Sequence, residues 1–345
     1  MTEEQFINTL EKALDRLPIA ERTDILLDTC EYFANGRTDG KSDQEIAVSL
    51  GDPVQIAEDL LAAYSFMNND VQQHPNNELI TITNSHFKNV DINVQQGAII
   101  ISPTHDTTTT TVEVTGAHKK LALYAKIIEE TLFIHLKSSW YWFVLLNFNF
   151  KPVTVNISLP KKVYQSFIMK SNNGRIEATK ILGETISAKT INGRIELREI
   201  AATSLTAGTG NGLLALQNIQ ADQIHVKTAN GRIEMNTIDA ETIFTKSNNG
   251  RIELTGVNGA LTGATMNGRI TLQTTHLDQP IDFQTNNGSI QIEARNEPTN
   301  VSVQAKTANG KINIFGEQNS RTVFGNGEHV IRLRSGNGRI TVKSI

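Results

Sequence analysis

The sequence predicts a mainly β chain, a parallel β-solenoid of about 19-residue repeats preceded by a small all-α domain of three to four helices. Three observations predict it. One phrase keeps returning between Lys170 and Lys343 (KSNNGRIEA, KTINGRIEL, KTANGRIEM, KSNNGRIEL, SGNGRITV), with the Asn of its Asn-Gly pair at 173, 192, 211, 230, 249, 267, 287, 309 and 337. Apolar residues fall in the same columns from copy to copy. The first 64 residues follow a different period, that of helices, and hold 14 acidic against 5 basic side chains in a chain whose formal net charge is −4, so the remainder is net positive.

Residues 1–64 are expected to be helical. Thr2 and Gln5 form a capping box ahead of Phe6, Leu10, Ala13, Leu14 and Leu17 at helical spacing. Pro18 suits the first turn of a second helix that carries Ile25, Leu26, Thr29, Cys30 and Phe33 and stops at Asn35-Gly36. Ser42 to Glu45 caps a third helix ending at Gly51, and Asp52-Pro53 starts a fourth with Ile56, Ala57, Leu60 and Leu61 inward. The string NGRTDGKSDQEIAVSLGDPVQIAEDLL, with its LGDP-x-x-IA signature from Leu50 to Ala57, resembles the HAAS family over about Met1 to Tyr64. That resemblance implies a protein-interaction or signalling module without chemistry of its own, partnered in bacteria by regulators of the PadR winged-helix type.

Residues 65–78 are polar, rich in Asn and Gln and contain Pro75, and read as a linker. From Leu79 the chain turns to alternating or β-branched runs (LITIT, FKNVDINVQ, AIIIS, TTTVEVTG, TLFIHLKS, VTVNISLP) broken by Gly97, Pro103 and Gly116. Residues 79–168 are expected to open the β domain and cap its first coil, and 169–345 to form the repeats.

Within one repeat, Ile195 and Leu197 alternate with Arg194 and Glu196, which sends the first pair inward and the second outward. Four apolar columns follow, headed by Ile176, Ala178, Ile181 and Ile186. The turns Asn173-Gly174, Asn192-Gly193, Asn211-Gly212, Asn230-Gly231 and Asn249-Gly250 use a pair that readily adopts positive φ. Each unit is expected to hold two short strands, the Asn-Gly turn and one other bend. Asn-Gly between alternating runs also signals a hairpin, so an antiparallel β-meander is the alternative. Stacking favours the solenoid, because equivalent residues touch there and matched rows of Ile, Asn and Thr or Ser (Thr190, Thr209, Thr228, Ser247) are what stacking rewards.

The phrase VTVNISLPKKVYQSFIMKSNNGRIE, continued by the NGRIE repeats, resembles the bacterial β-strand-repeat family named putative adhesins, from about Leu79 to Ile345. The pairing of such a domain with a HAAS-like one resembles proteins of bacterial envelope-stress regulation. An envelope-exposed adhesin binding glycans or host surfaces is the alternative that the resemblance implies.

One stretch stands apart from the repeat. Trp140, Tyr141, Trp142 and Phe143 open a run to Phe150 that holds both tryptophans of the chain. It reads either as a strand plugging the N-terminal end of the solenoid or as a contact for a membrane surface or a protein partner.

No catalytic constellation, cofactor fingerprint or metal-ligand spacing stands out, and the eight histidines are scattered. Asp39 to Asp43 lacks the ligand order of a calcium loop. Stacked Glu177 and Glu196 offer the spacing of a glycosidase pair, yet their kind recurs in four copies, as a surface row does and a unique site does not. Lys170, Lys189, Lys227, Lys246, Lys306 and Arg334 before the turn, with the Arg row (Arg175, Arg194, Arg232, Arg251, Arg269, Arg339), would track phosphates, but the Glu row and the negative net charge disfavour nucleic acid. A single cysteine, Cys30, excludes an internal disulfide framework and reads as a small buried apolar residue, and an acidic start without an apolar core gives no secretion signal. No run has the 18 or so apolar residues of a membrane span.

The reading is a non-enzymatic regulatory or scaffold protein, cytoplasmic or membrane-peripheral, without cofactor. Its partner is expected to be a protein, and the last coil, bare at Ile345, would self-associate.

Overall fold

The computed structural model describes residues 1–38, 40–68, 79–83, 86–104, 106, 108–116, 121–138 and 153–345. Contacts divide the chain into two compact units, one built around the helices and one around the sheet.

The helical unit holds α1 (Glu3–Ala13), α2 (Ile19–Thr38), α3 (Asp43–Leu50) and α4 (Pro53–Asn68). Both expected capping boxes form: Thr2 accepts from the Gln5 N–H, and Ser42 accepts from the Glu45 N–H, with each N3 side chain returning to the cap backbone. The core is Phe6, Leu10, Leu14, Phe33, Ile46, Leu50, Ile56 and Ala57, with Phe6 and Phe33 edge to face at 5.6 Å. Arg37 pairs with Glu3 at 2.6 Å and Asp43 at 3.2 Å, tying the starts of α1 and α3 to the end of α2.

Three local expectations need correction. α2 does not stop at Asn35-Gly36 but continues to Thr38. A Cβ on Gly36 would meet the Ile46 side chain at 2.7 Å, so this glycine admits α3 against α2 and is no cap. α4 runs to Asn68, past the expected start of the linker at residue 65, since AAYSFMN lacks a helix breaker. Cys30 is only half-buried, and its thiol is raised first by burial and then by Glu3.

In the β unit the repeats stack as parallel coils in register. Ile195 pairs with Leu214, Ile200 with Ile219 and Leu205 with Ile224, each 19 residues on. The next coils repeat the offset, Leu214 with Ile233 and Ile233 with Ile252. The solenoid is therefore the fold, and the meander is excluded. The four apolar columns are its interior: Ile195, Leu197, Ile200 and Leu205 are all at most 1% exposed, as are or nearly are their equivalents above and below.

The one other bend expected in each coil is present. A second corner, besides the Asn-Gly arc, places Lys180, Glu199, Asn218, Thr237 and Gly256 at φ values of 53 to 60°. Four of these five are not glycine, so composition gives no sign of a left-handed corner that disfavours a Cβ by roughly 1–2 kcal/mol each.

The register also reaches back beyond the sequence motif. Val90 pairs with Phe167 and Ile99 with Ile176, so residues 89–103 form a coil with Gly97 in the place of the Asn-Gly glycine. Thr154–Leu159 lies parallel on Ala98–Pro103, and Thr110–Thr115 runs antiparallel on Thr154–Leu159, covering that edge.

At the other end, spatial order departs from chain order. Ile281 pairs with Ile331, and Val303 also pairs with Ile331. The coil 329–342 thus lies between 281–294 and 301–314, although it comes last in the chain. Asp278 holds the crossover, its carboxylate accepting from the N–H groups of Thr299 and Asn300 at 3.0 Å each and from the Thr299 hydroxyl at 2.9 Å. Ile345 N–H donates to Ala294 O, and Lys343 pairs with Glu293 at 2.8 Å. The expected bare coil at Ile345 does not exist: the last coil is interior, and Arg321–Phe324 runs antiparallel along Val301–Gln304 at the true end.

Candidate interaction surface

The Asn-Gly arc of each coil is the most constrained part of the surface. The asparagines form a ladder in which each side-chain amide donates to the Oδ1 atom of the coil before it: Asn192 to Asn173 at 2.8 Å, and Asn211, Asn230, Asn249 and Asn267 onward at 2.7 Å. The glycines do not serve the turn as expected. None of Gly174, Gly193, Gly212, Gly231 or Gly250 is at positive φ. A Cβ on Gly193 would instead fall on the carbonyl oxygen of Gly174, and the same holds from Gly212 to Gly250, so the residue is required because backbones of successive coils meet there. That carbonyl is satisfied by the Thr/Ser row: Thr190 donates to Gly174 O at 3.1 Å, Thr209 to Gly193 O at 2.8 Å and Ser247 to Gly231 O at 3.1 Å. Asn, Gly and Thr are thus one unit that joins coils.

On the side after the arc, the Arg and Glu rows neutralise each other inside each coil that carries both. Arg175 pairs with Glu177 at 3.2 Å, Arg232 with Glu234 at 2.5 Å and Arg251 with Glu253 at 3.2 Å. Glu196 takes both Arg194 at 2.7 Å and Arg198 at 3.0 Å. Glu177 and Glu196 are register partners, as expected, but both are engaged by guanidinium groups, whereas a glycosidase acid must hold its proton near neutral pH.

On the side before the arc, Lys170, Lys189, Lys227 and Lys246 stand in one register row, interrupted by Gly208. They line a groove of about 630 Å³ together with Asn172 and Ile191. Two residues back along the same side, His225 and Phe244 stack with ring centroids 4.6 Å apart, and the Lys227 ammonium lies 5.4 Å from the Phe244 ring. The His225 imidazole is held below its ordinary value by burial and then by Lys227. In the sequence the lysines and arginines stand within five residues of one another; only the coil geometry puts the two rows on different sides.

Trp140, Tyr141, Trp142 and Phe143 lie outside the described residues. Among the described residues no helix is long and apolar enough to cross a membrane, and no group of His, Cys, Asp and Glu is placed to hold a metal ion.

Stacked parallel coils with bonded arcs and long exposed rows define a β-solenoid repeat protein, joined here to a helical module. The chain belongs to the Toastrack DUF4097 family, whose model matches residues 87–343, and carries a HAAS domain, matched at residues 5–59. Among solved structures it is similar to a putative adhesin from Bacteroides fragilis, at 14% identity over 80% of this chain and 100% of that one, with a TM-score of 0.38. It is also similar to a putative adhesin from Parabacteroides distasonis (13% identity, 78% of this chain, 97% of that one, TM-score 0.48). A structure described as a putative lipid binding protein from the same organism matches at 14% identity over 80% of this chain and 99% of that one, with a TM-score of 0.44. No curated protein matches the chain.

Proposed function

We propose that the chain is a non-enzymatic bacterial regulator or scaffold that acts by contact, with the helical module taking a protein partner and the solenoid serving as a rigid presenting surface. The observation that carries this reading is the surface of the helical module. Its core is closed by its own residues, yet Ile19, Leu27 and Val48 are 74, 61 and 82% exposed on an acidic unit. Large aliphatic side chains amid carboxylates suit a basic partner that supplies apolar pockets.

The HAAS domain supports a PadR-type winged-helix regulator as that partner, and its pairing with a Toastrack domain supports a place in PadR-linked or envelope-stress signalling. In this reading the protein works in the cytoplasm or at the membrane periphery. Trp140, Tyr141, Trp142 and Phe143 would add a membrane or partner contact, on the strength of their aromatic density in the sequence.

Titration of the full chain with a purified PadR-type regulator from the same organism tests the reading. Saturable binding that weakens more than tenfold in a Leu27→Asp, Val48→Asp variant is expected; absence of binding to such regulators removes the proposed partner.

A further inference from the structure

We infer that the lysine groove of the solenoid binds a single chain of an acidic, carboxylate-bearing polysaccharide laid along the solenoid axis. The inference concerns the β unit alone and does not depend on the partner of the helical module.

The first ground is charge left unmatched. Every arginine from Arg175 to Arg251 in its row has a carboxylate two residues on, whereas among the described residues none of Lys170, Lys189, Lys227 and Lys246 forms an ion pair. Their neighbours on the same side are Ile168, Ser187, Thr206, His225 and Phe244 in one flanking row and Asn172, Ile191, Ala229 and Asn248 in the other, none of them acidic; the nearest carboxylate in these rows is Asp91, one coil before Ile168. Like charges in register repel, and a polyanion relieves that repulsion along the whole row at once.

The second ground is spacing. Successive coils rise by about 4.8 Å, on the order of one sugar ring in an extended polysaccharide, so carboxylates on successive or alternate rings meet Lys170, Lys189, Lys227 and Lys246 in turn. Lysine ammonium groups act as adaptable point charges that can follow carboxylates along a chain without demanding one bidentate geometry.

The third ground is the gap. Gly208 occupies the lysine position in the middle of the row, and nothing requires a glycine there: it is not at positive φ, and an added Cβ would meet only Lys227 O at an ordinary 3.7 Å. Its effect is to leave the groove open at its centre. Single-stranded nucleic acid fits less well, because base binding needs a succession of exposed rings, and among the row residues named above only His225 and Phe244 are aromatic, each with one face taken by the other.

The test uses the full chain with polygalacturonate as probe, and with dextran, poly-dT and phosphatidylglycerol vesicles as comparison arms. Three variants accompany it: Lys170→Gln, Lys189→Gln, Lys227→Gln, Lys246→Gln combined; Gly208→Glu; and, as a charge-matched control on the other side, Arg175→Gln, Arg194→Gln, Arg232→Gln, Arg251→Gln combined. All substituted positions lie on the outer surface, and thermal unfolding verifies that each variant keeps its fold. Expected are salt-sensitive binding of polygalacturonate and not dextran, a loss of more than tenfold in the lysine and Gly208→Glu variants, and little change in the arginine variant. Failure to bind polygalacturonate, equal loss in the arginine variant, or tighter binding of poly-dT or vesicles through the same lysines overturns the inference.

Discussion

Asn337 donates its side-chain amide to the Oδ1 atom of Asn287 at 2.8 Å, which makes nearest neighbours of residues 50 positions apart in the chain. Asn309 donates in turn to Asn337 at 2.8 Å, so the ladder follows the stack and not the sequence. The chain passes over one coil, builds the next, and returns to fill the vacancy with its last strands.

Truncation after Glu328 is therefore unlike removal of an ordinary terminal repeat. It strips partners from both 281–294 and 301–314, exposing two parallel edges to pairing with other molecules. The truncated protein should melt about 10 °C or more below the full chain and elute as oligomers; a monomer of unchanged melting temperature would contradict the coil order.

Backbone contact at the arc predicts different outcomes for two glycines close in space. Gly231→Ala drives a Cβ onto the carbonyl oxygen of Gly212 and should cost about 3 kcal/mol. Gly208→Ala places its Cβ in ordinary contact and should stay within about 0.5 kcal/mol of wild type. Urea unfolding of both variants separates close approach from turn flexibility as the reason for the glycine column.

The ladder has a direction. Asn230 donates to Asn211 and accepts from Asn249, both at 2.7 Å. Asn230→Ala should lose about 1 kcal/mol, the usual net worth of such bonds. Asn230→Asp keeps the acceptor but sets a carboxylate against the Asn211 oxygen, so at neutral pH it should be the less stable of the two by denaturant midpoint.

Asp278 gives the crossover a pH dependence. Burial alone would raise its carboxyl, but hydrogen bonds from Asn300 and Thr299 outweigh burial and hold it below the usual range. A depressed folded value stabilises the fold above the unfolded value of about 3.9, and that contribution is lost as pH falls through the folded value. Asp278→Asn should cost about 1–2 kcal/mol at neutral pH, and the gap to wild type should close in acid. A gap that does not change between neutral and acidic urea titrations would refute the role of the charge.

Much of this was legible because stacking forces repetition. Ile195, Leu214 and Ile233 share a column since each packs on the next, and the Thr190 row recurs since each hydroxyl reaches the same carbonyl of the coil before. The Thr2 and Ser42 caps were equally plain, because a capping box is a local matter of four residues. The left-handed corner at Lys180, Glu199 and Thr237 left no trace, as neighbouring coils impose it on residues with no preference for it. Gly263 is similar: a Cβ there would meet the Phe283 ring at 2.8 Å, a fit between coils 20 residues apart that neither residue announces. The groove stayed hidden for a related reason, since Lys189 and Arg194 are five residues apart in the chain yet on different sides of the coil.

The amino-acid sequence by itself determined the solenoid, its period, its interior columns and the separate helical module, because short-range alternation and in-register repetition are written in residue order. Only the tertiary structure decided which coil lies next to which at the C-terminal end, and so which edge is covered. The apolar columns of 281–294, 301–314 and 329–342 are interchangeable in kind, and the choice among stacking orders falls to the length of the connections and to the Asp278 contacts with Thr299 and Asn300.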